Sequence, residues 1–333
     1  MRAQFGVVIP QGWRLDLPDV SAAEQFSLIT KLAVVAEELG FDSIWLYDHF
    51  HTIPKVEIKS CFECWTTLTA LAAKTRNVGL GQIVTCNSYR NPAHLAKIAS
   101  VLDVASNGRL EFGIGAGWYD NEYEAYGIPF EKPSVRIGRL AEAVKIIKKM
   151  WVEDRTTFHG RYYNIEGAIN FPKPIQKPRP SILIGGEGEQ LLLRVVAEMA
   201  DQCNFNGPLE HYRKKLDVLA KHCAHVNRNF DEIGKTILTD VVIRRTPDEV
   251  EAFLRKMEAA GVLNFKYLGG SRWEQASLQN YRDKNVVGTP TECVQQLKRF
   301  QEIGVESFKF YFPLEQQEEA MRLFADQVMP KLK

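Results

Sequence analysis

Residues 78–115, VGLGQIVTCNSYRNPAHLAKIASVLDVASNGRLEFGIG, decide the fold. The apolar run Val78–Thr85 predicts a strand, Pro92–Ala105 predicts a helix with proline in its tolerated first turn, and Arg109–Gly115 predicts a second strand. Two parallel strands need a crossover connection between them, and a helix is the usual one. Both strands are apolar along their length rather than alternating, which is typical of a parallel sheet covered on both faces.

The same alternation of strand and helix recurs along the chain. Further strands are predicted at Phe5–Ile9, Ser43–Tyr47, Ser181–Ile184, Cys203–Phe205, Ile237–Ile243 and Val305–Phe312. Eight strands, mostly separated by helices, predict an α/β fold of the (β/α)8 TIM barrel type, and fit it better than a two-domain doubly wound sheet. No repeat or linker divides the chain, so we expect a single domain over residues 1–333. Its insertions are expected at about 155–177 and about 263–287.

Composition excludes several classes of protein. The chain has 333 residues, 45% of them hydrophobic, and 42 basic against 41 acidic side chains. This charge balance argues against a nucleic-acid binder, and no apolar run is long enough to predict a membrane span. Six cysteines in so long a chain do not form a disulfide framework. The first residues predict a strand rather than a signal peptide, so we expect a cytoplasmic enzyme.

Active sites of such barrels lie where the strands end at the carboxyl-terminal mouth. Asp48 and His49 follow the second predicted strand, and a histidine beside a carboxylate can exchange protons near neutral pH. The alternative is a histidine satisfied within a polar loop. A metal site built from Asp48, His49 and His51 is also conceivable, but the sequence offers no distant further ligand and we expect no metal. The pair Cys61 and Cys64 is more typical of buried helix cysteines than of a zinc or redox site.

Two other strand ends are rich in glycine. Gly185–Gly188 leads into a predicted helix, so its backbone N–H groups could face a phosphate, although a tight turn without a ligand has the same pattern. The segment GIGAGW at 113–118 lacks the last glycine of the dinucleotide-binding motif, since Asp120 stands there. Its glycines could instead let a flat ring approach the backbone. Trp13 and Trp118 also lie at strand ends, and they are candidates for substrate contact or for the core.

Taken together and in order, these strand ends resemble the luciferase-like monooxygenase superfamily, and especially its branch of coenzyme F420-dependent oxidoreductases. The segments that carry the resemblance are FGVVIPQGW (5–13), IWLYDHFHT (44–52), LGQIVTCNSYRNPAHLAK (80–97), GRLEFGIGAGWYDNEYEAYGIPF (108–130), RIGRLAEAVKIIKKMW (136–151) and ILIGGEGEQLLLRVVAEMAD (182–201). The resemblance implies a bacterial luciferase-like barrel, usually a homodimer, with F420 or alternatively FMN across its mouth. It also implies hydride transfer to or from a small organic substrate.

Carried over by position, the resemblance implies that Asp48 and His49 are catalytic, with His49 near the reactive centre of the cofactor. Relatives often hold a non-proline cis peptide within the stretch that corresponds to residues 82–84. Gly185 to Glu187 would receive the phosphate. The implied cofactor-binding residues are Asp48, Gln82, Ile83, Val84, Thr85, Asn87, Gly115, Ala116, Gly117, Gly185, Gly186 and Glu187.

Three alternatives remain open from the sequence. The first is an FMN-dependent monooxygenase supplied by a partner flavin reductase, the second a non-catalytic flavin-binding protein, and the third a metal-dependent hydrolase. A partner that reduces F420 is also conceivable for the main interpretation. Relatives that oxidise glucose 6-phosphate carry a glutamate directly after the glycines that follow the predicted strand Arg109–Gly115. This chain has Trp118 at that position. That departure argues against a sugar-phosphate substrate, and the side chains of Trp13 and Trp118 suggest an apolar or aromatic one.

Overall fold

A computed structural model describes residues 2–261, 265–269, 272–275, 277–313 and 317–333. The strands are β1 (Gln4–Val8), β2 (Ser43–Leu46), β3 (Gly79–Gln82), β4 (Thr85–Cys86), β5 (Leu110–Gly115), β6 (Thr156–His159), β7 (Asn164–Ala168), β8 (Ile182–Gly185), β9 (Gln202–Phe205), β10 (Gly234–Ile243), β11 (Phe265–Gly269), β12 (Arg272–Gln275), β13 (Val286–Gly288) and β14 (Val305–Tyr311). The helices are α1 (Ala22–Glu38), α2 (Cys64–Ala72), α3 (Pro92–Ala105), α4 (Asp120–Ala125), α5 (Pro133–Val152), α6 (Leu192–Met199), α7 (Leu209–His225), α8 (Pro247–Ala259), α9 (Leu278–Lys284), α10 (Pro290–Gln301) and α11 (Gln317–Gln327).

Eight parallel strands close into a barrel, as the sequence predicts. The ring runs β1, β2, β3, β5, β8, β9, β10 and β14, and β14 pairs again with β1. Beyond the end of β3, β4 continues beside β5. Because all these strands point the same way, their carboxyl ends lie at one mouth, where the predicted site residues gather.

Glycines make room for a tryptophan inside the barrel. The Trp45 side chain on β2 is fully buried. A Cβ added at Gly81 would lie 2.4 Å from the Trp45 ring, and one added at Gly6 would lie 2.5 Å from its Nε1. Lys309 on β14 is also buried here, with its ammonium 4.8 Å from the centre of the Trp45 ring. This part of the barrel interior is therefore filled by the Trp45 ring and the buried amine of Lys309.

Both expected insertions contain antiparallel hairpins. The first holds β6 and β7, and the second holds β11 and β12 together with α9. The second expected range also ends in a short strand, because Val286 and Val287 in β13 pair in parallel with Val241 and Val242 of β10. Residues 263–264, 270–271 and 276 of that range lie outside the described part of the chain.

Helix ends follow local sequence rules. Ser21 and Glu24 form a capping box at the start of α1, and Asn91 caps α3 by accepting a hydrogen bond from the Ala93 N–H. Helix α2 begins at Cys64, so Cys61 precedes it and the two cysteines do not lie on neighbouring helical turns as predicted. Within the described ranges, no helix combines the length and the apolar composition needed to cross a membrane.

Candidate functional site

His49 lies directly after β2 in an aromatic enclosure. Its imidazole stacks parallel to the Trp13 indole, with ring centroids 4.2 Å apart and an interplanar angle of 3°. Trp118 meets it edge-on at 5.6 Å. The Nδ1 atom lies 2.8 Å from Oε2 of Glu122, whereas Nε2 has no hydrogen-bond partner among the described residues. One nitrogen is therefore anchored, and the other is free for a ligand.

Glu122 on α4 holds the histidine loop in place. Its carboxylate is fully buried, and it accepts hydrogen bonds from the backbone N–H groups of Phe50 and His51 and from the Tyr89 hydroxyl, at 2.6, 2.9 and 2.6 Å. Burial opposes its ionisation, but His49 and these hydrogen bonds outweigh burial and lower the pKa of Glu122 below its usual value. The carboxylate is therefore ionised at neutral pH.

Asp48 is occupied by protein partners. Arg90 binds both of its carboxylate oxygens, at 2.6 and 2.9 Å, and the Cys86 N–H donates to Oδ2 at 2.9 Å. The Cys64 thiol lies 3.2 Å from Oδ1, and burial is the main cause that raises its pKa well above the usual value. The fully engaged Asp48 side chain fixes the end of β2 against β4, so the geometry favours His49 for proton exchange.

The groups around Asp48 form a cluster of potential metal ligands. Asp48, Glu63 and Cys64 bring their ligand atoms within 4.8 Å of one another, and they are the one such group in the described part of the chain. The Arg90 guanidinium binds both carboxylates, with Nη2 2.6 Å from Oε1 of Glu63. A cation of the protein itself already neutralises this cluster.

A row of unpaired polar atoms follows the end of β3. Both amide atoms of Gln82, Oγ1 of Thr85 and Oδ1 of Asn87 are buried and have no hydrogen-bond partner among the described residues. Nearly all buried polar groups in folded proteins are hydrogen-bonded, and each one left unsatisfied costs about 1–3 kcal/mol. Four such atoms within six residues therefore indicate that this segment contacts a polar ligand.

The peptide bond between Ile83 and Val84 is cis, which places the feature implied by the resemblance at a defined bond. Two glycines on neighbouring strands accommodate the Val84 side chain. A Cβ at Gly115 would lie 2.7 Å from Val84 Cγ2, and one at Gly185 would lie 2.9 Å from Cγ1. These glycines therefore allow the close packing of the segment that carries the unpaired polar atoms.

The glycine turn after β8 differs from the expected strand-to-helix junction. Helix α6 begins at Leu192, several residues beyond Gly185–Glu187, so the glycines do not form its N-terminus. The Glu187 carboxylate accepts the Asn206 N–H at 2.9 Å and lies 3.0 Å from His211 Nε2. The role of this turn as a phosphate site remains a prediction, and Gly186, with φ of +128°, requires the absence of a side chain there.

A cavity of about 960 Å³ opens at the mouth of the barrel. Trp13 and Trp118, the two tryptophans around His49, line it, as does Tyr47. Two of its charged side chains form a pair: Arg14 binds Asp240 through two 2.9 Å contacts. The cavity therefore combines aromatic side chains with a polar wall that also includes Lys55 and Lys284. Its volume is in the range of small-molecule sites.

The structure brings together the residues predicted at the carboxyl ends of the barrel strands β1, β2, β3 and β5. Glu122, Tyr89 and Arg90 are the site residues that sequence reasoning missed. Glu122 lies 73 positions from His49 in sequence, on a helix too short for periodicity to reveal. The signal available in the sequence was that Glu122 is an acidic residue close after the glycine-rich end of a predicted barrel strand, four positions beyond Trp118.

These features define a (β/α)8 barrel with a ligand chamber at its carboxyl-terminal mouth. The sequence pattern of the luciferase-like monooxygenase family matches residues 3–307, and the chain belongs to that family. This confirms the family resemblance and the fold predicted from the sequence.

Individual relatives use two kinds of cofactor. An F420-dependent glucose-6-phosphate dehydrogenase of Amycolatopsis mediterranei (strain U-32) is 27% identical over 332 residues, covering 94% of this chain and 97% of that one. An FMNH(2)-dependent dimethylsulfone monooxygenase of Pseudomonas putida is 25% identical over 296 residues, covering 83% and 80%. An F420-dependent secondary alcohol dehydrogenase, solved with an F420–acetone adduct, superposes over the full length of both chains with a TM-score of 0.80 and 20% identity, which supports the fold.

Proposed function

We propose that this chain is an oxidoreductase that uses coenzyme F420 to transfer a hydride to or from a small organic substrate. The family assignment and relatives named as F420-dependent dehydrogenases support this function. The single observation that carries it is the row of buried, unpaired polar atoms on Gln82, Thr85 and Asn87 at the barrel mouth.

The residues present fit a flat, polar heterocycle. A deazaflavin offers carbonyl oxygens and ring nitrogens along its edge, and the Gln82 amide, the Thr85 hydroxyl and the Asn87 carbonyl supply both donors and acceptors. We propose that these residues hold the ring, that Ile83 and Val84 back it, and that Gly115, Ala116 and Gly117 border its tail. Gly185, Gly186 and Glu187 are proposed at its phosphate.

When bound, F420 supplies the hydride donor or acceptor, and the protein supplies position and proton handling. In this proposal the Nε2 atom of His49 exchanges one proton with the substrate. Asp48 acts in the site by holding the end of β2, because Arg90 and Cys86 occupy its carboxylate. The stacked Trp13 keeps the imidazole plane fixed and shields it from solvent.

The chamber favours a neutral substrate with an apolar or aromatic part. Trp13 and Trp118 offer aromatic surface beside His49, and the Trp13 Nε1 is buried without a partner. Arg14 is paired with Asp240, and His211 Nε2 lies 3.0 Å from the Glu187 carboxylate. We therefore expect turnover of neutral alcohols or carbonyl compounds, and weak or no turnover of glucose 6-phosphate.

The FMN-dependent monooxygenase with a partner flavin reductase is the second candidate, supported by the P. putida relative. Reduced FMN reacts with oxygen, whereas a reduced deazaflavin is a poor oxygen activator. An assay that follows oxygen consumption and F420 absorbance with the same alcohol and carbonyl panel separates the two. F420 reduction or reoxidation without oxygen uptake supports the proposal, and oxygen-dependent product formation with reduced FMN overturns it. Tight cofactor binding without any turnover would instead favour a non-catalytic flavin-binding protein.

The setting of this activity is also part of the proposal. A cytoplasmic homodimer that exchanges F420 with a separate F420-reducing enzyme is the arrangement that the family resemblance implies. The near-neutral formal charge of +1 fits a small-molecule substrate rather than a nucleic acid.

A further inference from the structure

We propose that Glu122 is a positioning residue that keeps the proton of neutral His49 on Nδ1 and so leaves Nε2 as the proton-accepting atom. The reaction it serves rests on the proposed function. The hydrogen-bond geometry behind it depends on neither cofactor nor substrate. The strand-end pattern assigned no role to this glutamate.

With Glu122 ionised, the hydrogen bonds around it allow a single arrangement of protons. Its Oε1 faces two backbone N–H groups, those of Phe50 and His51, which can only donate. Its Oε2 faces the Tyr89 hydroxyl at 2.6 Å and His49 Nδ1 at 2.8 Å. An ionised carboxylate only accepts, so Nδ1 must carry hydrogen. Neutral His49 then has its lone pair on Nε2.

The surroundings also prevent the ring from turning over. The imidazole lies flat against Trp13, with Trp118 at its edge, and it is about nine-tenths buried. Rotation by half a turn would take Nδ1 away from the carboxylate and leave a buried charge without one of its four donors. Breaking such a charged hydrogen bond is costly in a buried site. Glu122 therefore sets both the tautomer and the orientation.

The substitution Glu122→Gln replaces one carboxylate oxygen, which accepts hydrogen bonds, by an NH2 group, which donates them. The amide has one oxygen and one NH2, and its oxygen is required by the two fixed backbone N–H groups of Phe50 and His51. The NH2 then faces His49, so Nδ1 must accept and the proton of the neutral ring moves to Nε2. Nearly the same shape is kept while the reactive nitrogen becomes a donor.

Long-range proton–nitrogen NMR of ¹⁵N-histidine-labelled protein reads this tautomer directly, without cofactor or substrate. His49→Gln identifies the His49 signals by their loss. We expect the neutral ring of wild-type His49 to carry hydrogen on Nδ1 and that of the Glu122→Gln variant to carry it on Nε2. Tyr89→Phe is the matched control, since it removes a neighbouring donor but keeps the carboxylate, and the wild-type tautomer should persist.

Two results would overturn the proposal: a wild-type His49 with hydrogen on Nε2, or a Glu122→Gln variant that keeps it on Nδ1. If Glu122→Gln does not fold, the wild-type and Tyr89→Phe spectra still decide. Once a substrate is known, Glu122→Gln should lower kcat by about 10²–10⁴-fold with little change in KM, as expected for a lost proton acceptor. If the wild-type protein does not bind F420, the proposed function is contradicted, but the result on the His49 tautomer still stands.

Discussion

The guanidinium of Arg90 binds Asp48 through two parallel contacts, Nη1 to Oδ2 at 2.6 Å and Nη2 to Oδ1 at 2.9 Å. This pair joins the loop after β2 to the residues that follow β4, and both side chains are nearly buried. The aspartate next to the proposed proton-exchanging histidine is thereby a fixed anchor. The Asp48–Arg90 ion pair therefore contributes to the rigidity of the barrel mouth.

Replacing Asp48 by asparagine should destabilise the protein, because Arg90 would lose its bidentate partner in a buried place. Removing one member of a buried ion pair costs about 3–5 kcal/mol, and the remaining contact to Glu63 should keep the loss near the lower figure. Urea unfolding measures it. Glu63→Gln is the matched control and should cost less, since Glu63 is more exposed. Equal stability of Asp48→Asn and wild type would refute the anchoring role.

Replacing His49 by alanine should lower turnover by about 10²–10⁴-fold while F420 affinity changes little, because the imidazole handles a proton rather than holding the cofactor. Steady-state kinetics and fluorescence titration separate these two quantities. His159→Gln, on the exposed β6–β7 hairpin, is the control and should retain full activity. Full turnover by His49→Ala would show that the proton is exchanged elsewhere.

Gly113→Ala should disrupt the segment that carries the unpaired polar atoms. Its new Cβ would lie 2.1 Å from the Gln82 carbonyl oxygen, and a backbone oxygen cannot move aside cheaply. We expect a lower melting temperature and loss of F420 binding. Gly188→Ala is the control, since its Cβ would meet the Leu192 side chain at an ordinary 3.4 Å. Equal behaviour of the two variants would contradict the packing argument.

The fold could be predicted largely from sequence, and the site only in part. Buried parallel strands are continuous apolar runs, so stretches such as SIWL in β2 were evident, and strand ends of one barrel necessarily converge. Val286–Gly288 was missed because three residues are too few for a pattern. The partners of Asp48 and His49 were missed because Arg90 and Glu122 lie 42 and 73 positions away in sequence, and only the closed barrel brings them near.

Lys309 should make the stability depend on pH. Burial outweighs the attraction of Glu111 and lowers the pKa of Lys309 from its usual 10.5 to about 8. The unfolded chain therefore binds this proton more tightly, and the cost to the fold is complete below pH 8 and fades as pH rises towards 10.5. The total is about 3 kcal/mol, at 1.36 kcal/mol for each pKa unit.

The variant Lys309→Met should remove this contribution. The free energy of unfolding of wild type minus that of the variant should rise between pH 8 and pH 10.5. The difference is the quantity to measure, because buried tyrosines and cysteines with raised pKa values, such as Tyr47 and Cys203, contribute the opposite slope in both proteins. A difference that stays flat with pH would show that the amine titrates normally in the fold.

The central claim, that the barrel mouth is an F420 site, is tested most directly by parallel fluorescence titrations of the purified protein with F420 and with FMN. We predict micromolar or tighter binding of F420 and much weaker binding of FMN. A Gln82→Ala variant, which removes two of the unpaired polar atoms, should bind F420 more weakly. Preferential binding of FMN, or binding of neither cofactor, would contradict the account.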